Sequence, residues 1–362
     1  MNYLVCEYIM NLEEIRQNIN KIDDEIIKLL NQRMEFVKQV GILKHNEGSP
    51  IYRPVRENEI INRLSENSKG LLEKDAIKAI YQEIFAISRN LELPQRVAFL
   101  GPIGTYTHQA ARLWFGALSE YIEIATIEDV FVSLNNDEVS YAVVPIENNT
   151  EGGVGATLDC LAKYDDILIF AENYLDIHHS FASTTDDIRD IKVIFSHPQG
   201  YNQCKKFLEA HNILDIEFVP TKSTAAAAKL AKDTPNSAAI CSKIAAKLSD
   251  LPLMFECIED NKANKTRFLV LSKHSCEKSS NSKTSILANT AHKAGALVDL
   301  LNEFKEANIN LTKIESRPLK KKEFEYSFFI DFDGHIDDLN VQKILKNKTN
   351  IKWLGSYLKN DK

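Results

Sequence analysis

The run Val144-Pro145-Ile146-Glu147-Asn148-Asn149-Thr150-Glu151-Gly152-Gly153-Val154-Gly155 carries the side chains best suited to gripping a small anion. An apolar stretch, Tyr141 to Val144, empties into amides, a hydroxyl and glycines, and a helical pattern with Ala156, Leu158 and Leu161 on one face follows. Glycine lets the backbone approach a ligand closely, and the helix start would aim free N–H groups at a carboxylate. A second set of candidates is cationic. Arg33 and Lys44, 11 residues apart, share a helical face, whereas Arg16 points about 100° away and lies roughly 25 Å along the axis from Arg33. One small ligand touches both arginines only if a second copy of the chain brings its own Arg16.

The elements that must position these groups fall into three blocks. From Leu12 to Lys44 apolar residues recur at threes and fours without proline, which predicts one helix roughly 50 Å long that needs a bundle or a partner chain beside it. Pro50 and Pro54 end it. Helical patterns at Arg56–Ser65 and Lys74–Leu91 follow, closed by Pro94. Short apolar strands then alternate with helices: Val97–Leu100, Tyr141–Val144, Ile167–Ala171, Lys192–Phe195, Ala238–Ile240 and Phe268–Leu271. Ligands in such layers sit where strand ends meet loops. After a Ser/Lys-rich connector, Cys276–Lys283, the order strand, helix, strand, strand, helix, strand predicts a split ferredoxin-like sandwich.

Composition narrows the partners. The chain has 362 residues, 44% apolar and 26% charged, enough for two or three domains. A formal charge of −7 and a pI near 5.8 argue against nucleic acid or an anionic membrane as the main partner, which leaves small molecules. The six cysteines show no C-x-x-C and no histidine at metal-ligand spacing. Neither a zinc site nor a disulfide framework is expected, and the default compartment is the reducing cytoplasm. Met1–Met10 lacks the basic start and cleavage site of a signal peptide, and Met10 is an alternative start. No apolar run approaches the ~18 residues that cross a bilayer.

The first block resembles the all-helical chorismate mutase family, in a register running from Arg16 through Arg33, Gly41 and Lys44 into Arg53-Pro54-Val55-Arg56-Glu57 and on to Ser88 and Glu92. By that resemblance, Arg33, Arg56 and the Arg16 of a partner chain would bind substrate carboxylates. Lys44 would meet the ether oxygen, Glu57 the ring hydroxyl, and Arg53 and Ser88 would fall on ligand-contacting positions. A pericyclic rearrangement needs a compact conformer and a donor for the charge growing on the breaking C–O bond, not a nucleophile. Glu92 donates to that oxygen only when protonated, so mutase turnover is expected to decline as the carboxyl ionises. Without the register, these cations read as decoration of a solvated helix.

The second block resembles prephenate dehydratase, carried by Gly101-Pro102-Ile103-Gly104-Thr105-Tyr106-Thr107-His108, the Glu147–Gly155 run, Ser196-His197-Pro198-Gln199 and Asn264-Lys265-Thr266-Arg267-Phe268. The resemblance implies two α/β lobes with prephenate between them. Thr266 would be the donor to the departing hydroxyl and Arg267 beside it an anion anchor, with Phe268, Thr105, Thr107, Asn148, Thr150 and Gln199 as further binders. The bland alternatives are a strand-entry Thr266, a surface ion-paired Arg267, a capping His197 and a structural His178-His179 pair. The third block, with Gly295-Ala296-Leu297-Val298 and Glu315-Ser316-Arg317-Pro318, resembles the ACT regulatory domains attached to prephenate dehydratases, which bind phenylalanine. The expected layout is a helical domain over 10–94, a two-lobed α/β domain over 95–273, a linker over 274–283 and an α+β ferredoxin-like module over 284–362. Together the resemblances imply a bifunctional enzyme with chorismate and prephenate as substrates, phenylalanine as feedback inhibitor, no cofactor or metal, and a homodimer or larger assembly. Two rivals stay open at this level. One is a non-catalytic anion sensor, and the other a dehydratase whose helical domain is an inactive dimerisation arm.

Overall fold

The computed structural model describes residues 11–47, 52–150, 152–290, 293–318, 326–345 and 349–360. Met1–Met10 and Glu151 of the glycine-bearing run lie outside them. The chain forms two compact units, one of residues up to Tyr52 with Ile87–Pro94, the other of Arg53–Ala86 with everything from Gln95 onward.

Helix α1 (Leu12–Glu47) runs 36 residues. Asn11 opens it reciprocally: its Oδ1 accepts from the Glu14 N–H, and Glu14 Oε2 accepts from the Asn11 N–H, so two otherwise unpaired donors are satisfied. Much of its apolar stripe stays exposed, including Ile15, Ile19, Ile22, Ile26 and Leu29. Helix α2 (Pro54–Asn67) starts on a proline, whose missing N–H costs nothing at that position. Helix α3 (Lys74–Glu92) follows.

The first sheet is built from β1 (Arg96–Leu100), β2 (Glu120–Ile124), β3 (Tyr141–Asn148), β4 (Gly152–Gly153) and β5 (Leu168–Asp176), with α4 (Tyr106–Phe115), α5 (Ile127–Asn135) and α6 (Gly155–Lys163) between them. The second holds β6 (Ser180–Ser183), β7 (Val193–Ser196), β8 (Glu217–Pro220), β9 (Ser237–Cys241) and β10 (Leu253–Phe255), with α7 (Pro198–Asn202), α8 (Lys205–Ala210), α9 (Thr224–Asp233) and α10 (Lys243–Leu248). Strand β11 (Lys265–Ser272) then returns to the first sheet and lies antiparallel between β3 and β5, giving the order β2-β1-β3-β11-β5. The chain thus leaves the first lobe, builds the second (β10-β6-β9-β7-β8) and comes back. The second lobe is cored on one side by Ala227, Ala228 and Ala231 of α9 and on the other by Cys204, Leu208 and Ile213.

The C-terminal sheet has the order β13-β14-β12-β15, all antiparallel, from β12 (Ser282–Asn289), α11 (Ala296–Glu306), β13 (Leu311–Pro318), β14 (Tyr326–Asp333), α12 (Leu339–Leu345) and β15 (Ile351–Leu358). Its core is Ile286, Leu300, Phe304, Ile330, Phe332 and Val341. Strand β12 starts two residues before the expected Thr284, so Lys283 belongs to the sheet. Strand β15 packs on β5 so closely that a Cβ at Gly355 (φ +143°) would clash with the Ile169 carbonyl oxygen.

Candidate active site

A cleft of about 350 Å³ opens between the two lobes. Its walls include Thr105, Tyr106 and Thr107 of the first lobe, His197, Gln199, Ser223 and Thr224 of the second, and Thr266 and Phe268 of the returning strand. No lysine or arginine lines it among the described residues. Positive potential comes instead from two helix starts. Thr105 caps α4 by accepting from the His108 N–H, and Ser223 caps α9 by accepting from the Ala226 N–H. The N–H groups behind those caps carry the partial positive charge that suits carboxylates.

A bulge prepares the floor. Strand β11 pairs Thr266 with Asn148 and Arg267 with Glu147, then steps to Pro145, leaving Ile146 unmatched. Residues three apart on a strand normally face opposite sides, yet Pro145 and Asn148 both line the cleft because the extra residue resets the alternation. Asn148 is then fixed by a backbone donor. The Thr150 N–H reaches its Oδ1 at 2.9 Å, so its Nδ2 must be the atom turned to Thr266 Oγ1 at 2.8 Å and Asn264 Oδ1 at 2.9 Å. From there Asn264 Nδ2 donates to Gln203 Oε1, which also accepts from His179 Nε2 at 3.0 Å. Asn148 thus occupies an acceptor position of Thr266, leaving the hydroxyl proton for the cleft.

Two expectations need correction here. Arg267 does not line the cleft: it is 3% exposed on the opposite sheet face, with Nε 2.7 Å from Glu172, NH1 2.6 Å from Asp331 and NH2 donating to Tyr357 Oη at 2.9 Å. Alternation along β11 sends Thr266 and Phe268 one way and Arg267 the other. Burial opposes the Arg267 charge, but Tyr357, Asp331 and Glu172 outweigh it and raise its pKa. Thr150 is absent from the lining, and its Oγ1 donates to Asn148 Oδ1 at 2.5 Å, so it orients a binder. The His178-His179 pair, expected to be structural, is held by hydrogen bonds on two sides. His178 Nδ1 meets Glu259 at 2.7 Å, while His179 lines the cleft.

Burial lowers the His179 pKa, so the ring is neutral with its proton on Nε2 and Nδ1 facing Tyr106 Oη at 3.0 Å. Glu259, His178 and Cys257 bring three donor atoms within 4.8 Å of one another, which spacing along the chain did not reveal. Both Glu259 oxygens are engaged, by His178 Nδ1 and the His179 N–H, so the cluster braces His179. Sequence reasoning missed Tyr106, His179, Gln203 and Asn264 as cleft residues. Gln203 Nε2 is buried without a protein partner among the described residues. On the second-lobe wall the Ser-Thr start of α9 was a legible signal beside the Ser196–Gln199 segment already named.

On the helical unit, Arg33 NH1 donates to Ser88 Oγ at 2.5 Å and Lys44 Nζ to Glu92 Oε2 at 2.8 Å, so the expected α1 and α3 residues face one another. Gly41 permits this approach, since a Cβ there would stand 3.3 Å from the Glu92 Cα. Arg16 is exposed on α1. In the second unit Arg53 pairs with Glu277 at 2.5 Å, Arg56 pairs with Glu59 at 3.1 Å, and Glu57 is half-buried.

In the C-terminal module Gly295 (φ +86°) caps α11 with open space around it, Ala296 and Leu297 are half-buried and Val298 is exposed. On β13, which ends at Pro318, Ser316 is exposed while Glu315 and Arg317 turn to the cleft's glycine run. A Cβ at Gly153 would meet Glu315, one at Gly155 would meet Arg317, and Arg317 pairs with Asp159 of α6 at 3.3 Å.

This combination of a three-helix segment, a two-lobed cleft and a ferredoxin-like module defines a multidomain protein of the kind that handles small carboxylates. Family models for chorismate mutase type II (residues 15–93), prephenate dehydratase (97–276) and the ACT domain (284–349) match in succession. The bifunctional chorismate mutase/prephenate dehydratase of Aquifex aeolicus is 38% identical over 96% of this chain and 98% of its own length, and that of Escherichia coli K12 31% identical over 95% of each. The chain belongs to the bifunctional chorismate mutase/prephenate dehydratase family. Among solved structures, the prephenate dehydratase of Arthrobacter aurescens in complex with L-Phe has a TM-score of 0.67 at 33% identity, covering 73% of this chain and 90% of that one. No helix among the described residues is long and apolar enough to cross a membrane.

Proposed function

We propose that the chain rearranges chorismate to prephenate at the helical segment and converts prephenate to phenylpyruvate in the interlobe cleft, under feedback inhibition by phenylalanine at the C-terminal module. The observation that carries the dehydratase half is the Asn148 Nδ2 to Thr266 Oγ1 hydrogen bond of 2.8 Å. In the reaction the ring carboxylate leaves as carbon dioxide, its C–C electron pair enters the ring, and the C–O bond to the ring hydroxyl breaks. The departing oxygen takes up one proton and leaves as water. Thr266 hydrogen-bonds that oxygen as charge builds on it, while the α4 and α9 starts hold the carboxylates. A threonine hydroxyl is a poor acid, so the net proton comes ultimately from solvent.

For the mutase half, Lys44 and Glu92 form the pair that meets the breaking C–O bond, and Arg33 with the Arg16 of a second copy clamps the carboxylates. The exposed stripe Ile15, Ile19, Ile22 and Ile26 supports a second copy, since burying each such side chain is worth about 1.5–3 kcal/mol. Phenylalanine binding is assigned to Gly295–Val298 and Glu315–Pro318. The test is a coupled assay on the full-length chain, following chorismate loss and phenylpyruvate formation with and without phenylalanine. Failure to consume either substrate in folded protein overturns the reading.

A further inference from the structure

The chain crosses between the two lobes twice, and one cluster of side chains joins the crossings. The outward crossing runs from the end of β5 at Asp176 to the start of β6 at Ser180 and carries His178. The return runs from the end of β10 at Phe255 to the start of β11 at Lys265 and carries Cys257 and Glu259. A His178 ring nitrogen, the Cys257 sulfur and a Glu259 carboxylate oxygen lie within 4.8 Å of one another. Backbone pairing holds them there. The Ile258 N–H donates to the His179 carbonyl at 3.0 Å and the His179 N–H to Glu259 Oε2 at 2.9 Å, which leaves Oε1 turned to His178 Nδ1 at 2.7 Å. Cys257 stands at φ +56°, a left-handed backbone uncommon for any residue but glycine. It is exposed, whereas the other four described cysteines are buried. The Glu259 side chain is 1% exposed and that of His178 47%. A buried carboxylate is ordinarily paired with a full cation or bound to a metal, yet among the described residues the ion-pair partner of Glu259 is this histidine, with no lysine or arginine.

We propose that His178, Cys257 and Glu259 form a zinc-class metal site that staples the two crossings together. Imidazole, thiolate and carboxylate are a donor set for Zn²⁺, whereas Mg²⁺ and Ca²⁺ take oxygen ligands. Three protein ligands leave the fourth tetrahedral position to water. Ligation needs little movement. Metal bonds of about 2.0–2.2 Å at tetrahedral angles set the nitrogen and oxygen roughly 3.3 Å apart, so the exposed His178 ring retreats by only about half an ångström from its hydrogen bond. On binding, the His178 proton moves from Nδ1 to Nε2 and the Cys257 thiol proton passes to solvent. The dication with one thiolate and one carboxylate is then neutral overall, and Glu259 gains a full counter-charge. Its Oε2 keeps the His179 N–H, the contact that orients the ligand from behind. None of the three residues belongs to the cleft wall, so the metal fastens the lobes where they would hinge and takes no part in dehydration.

The test uses the tag-free, full-length chain stripped with a chelator, with Co²⁺ as the spectroscopic probe for Zn²⁺. Co²⁺ is expected to bind at one equivalent per chain with a thiolate-to-cobalt charge-transfer band. Zn²⁺ should displace it and raise the melting temperature with concentration. Losing an outer-shell partner alone costs a metal site about 10–100-fold in affinity, so Cys257→Ser and His178→Ala should each weaken Co²⁺ binding at least about a hundredfold. Cys257→Ser should also abolish the band, and Cys6→Ser, at a position outside the described residues, should not. Absence of the band at one equivalent, its survival in Cys257→Ser, its loss in Cys6→Ser, or a melt indifferent to Zn²⁺ each overturns the proposal. Glu259→Gln should bind as weakly as the other two; because Glu259 also braces His179, the variants at the two exposed positions decide the matter if it does not fold. Metal binding is read without substrate, so the outcome is independent of whether the chain makes phenylpyruvate.

Discussion

Replacing Thr266 with valine is the most direct test of the cleft chemistry. Valine keeps the β-branched shape and strand preference while deleting the hydroxyl. The structural cost is small, because Asn148 Nδ2 loses Thr266 Oγ1 but retains Asn264 Oδ1 at 2.9 Å, a loss on the order of 1 kcal/mol. The chemical cost is larger. An oriented proton donor contributes about 10²–10⁴-fold, or roughly 3–5 kcal/mol at 1.36 kcal/mol per decade. Phenylpyruvate formation in the folded variant should therefore fall at least about a hundredfold, with prephenate KM within about threefold and mutase turnover unaltered. Phenylpyruvate is followed by its enolate absorbance and chorismate by its own. Retention of a third or more of the wild-type kcat would refute the role of the hydroxyl.

Glu92→Ala should lower mutase kcat/KM by about tenfold or more with dehydratase turnover unaltered, because it removes the partner that holds Lys44 Nζ at 2.8 Å; an unchanged mutase kcat/KM would exclude the pair from the reaction. Burial and Arg112 lower the pKa of His108, whose Nδ1 accepts from the Gly104 N–H at 3.2 Å. The neutral form is the folded one, so its contribution is complete above the unfolded pKa of about 6.5 and is lost as pH falls below it. The midpoint of dehydratase melting should drop between pH 7.5 and 5.5, and His108→Asn should reduce that slope; equal slopes would count against it. Gly355→Ala forces a Cβ onto the Ile169 carbonyl and strains a φ of +143°, costing about 1–3 kcal/mol, measurable as a lower dehydratase melting temperature. An unchanged melt would mean the strands β5 and β15 part readily.

Long periodic segments were legible in the chain because a helix face writes itself every three to four residues. The expected Leu12–Lys44 helix is α1, Lys74–Leu91 is α3, and the βαββαβ order of the last block is the observed one. Strands β2, β4, β6, β8 and β10 were not anticipated. Strand β2 alternates weakly on a sheet edge, and β8 has exposed ends and a half-buried middle, so neither leaves a strong apolar signature. Strand β3 runs to Asn148 rather than stopping near Val144, since pairing with β11 carries it through a proline and a carboxylate that local preference would exclude.

The residue types that can do chemistry, Thr266, Asn148, Lys44 and Glu92, were fixed by the sequence, because motif spacing is a local property of the chain. Direction was not. Neighbours on a strand must face opposite ways, but the choice between Thr266 and Arg267 for the cleft depended on which domain packs on each side of β11. In the same way Thr150 became a brace, His179 a wall of the cleft, and Glu259 the partner of a histidine distant in the chain. Those outcomes belong to tertiary structure, since burial and long-range pairing are set by surfaces that meet only once the chain has folded.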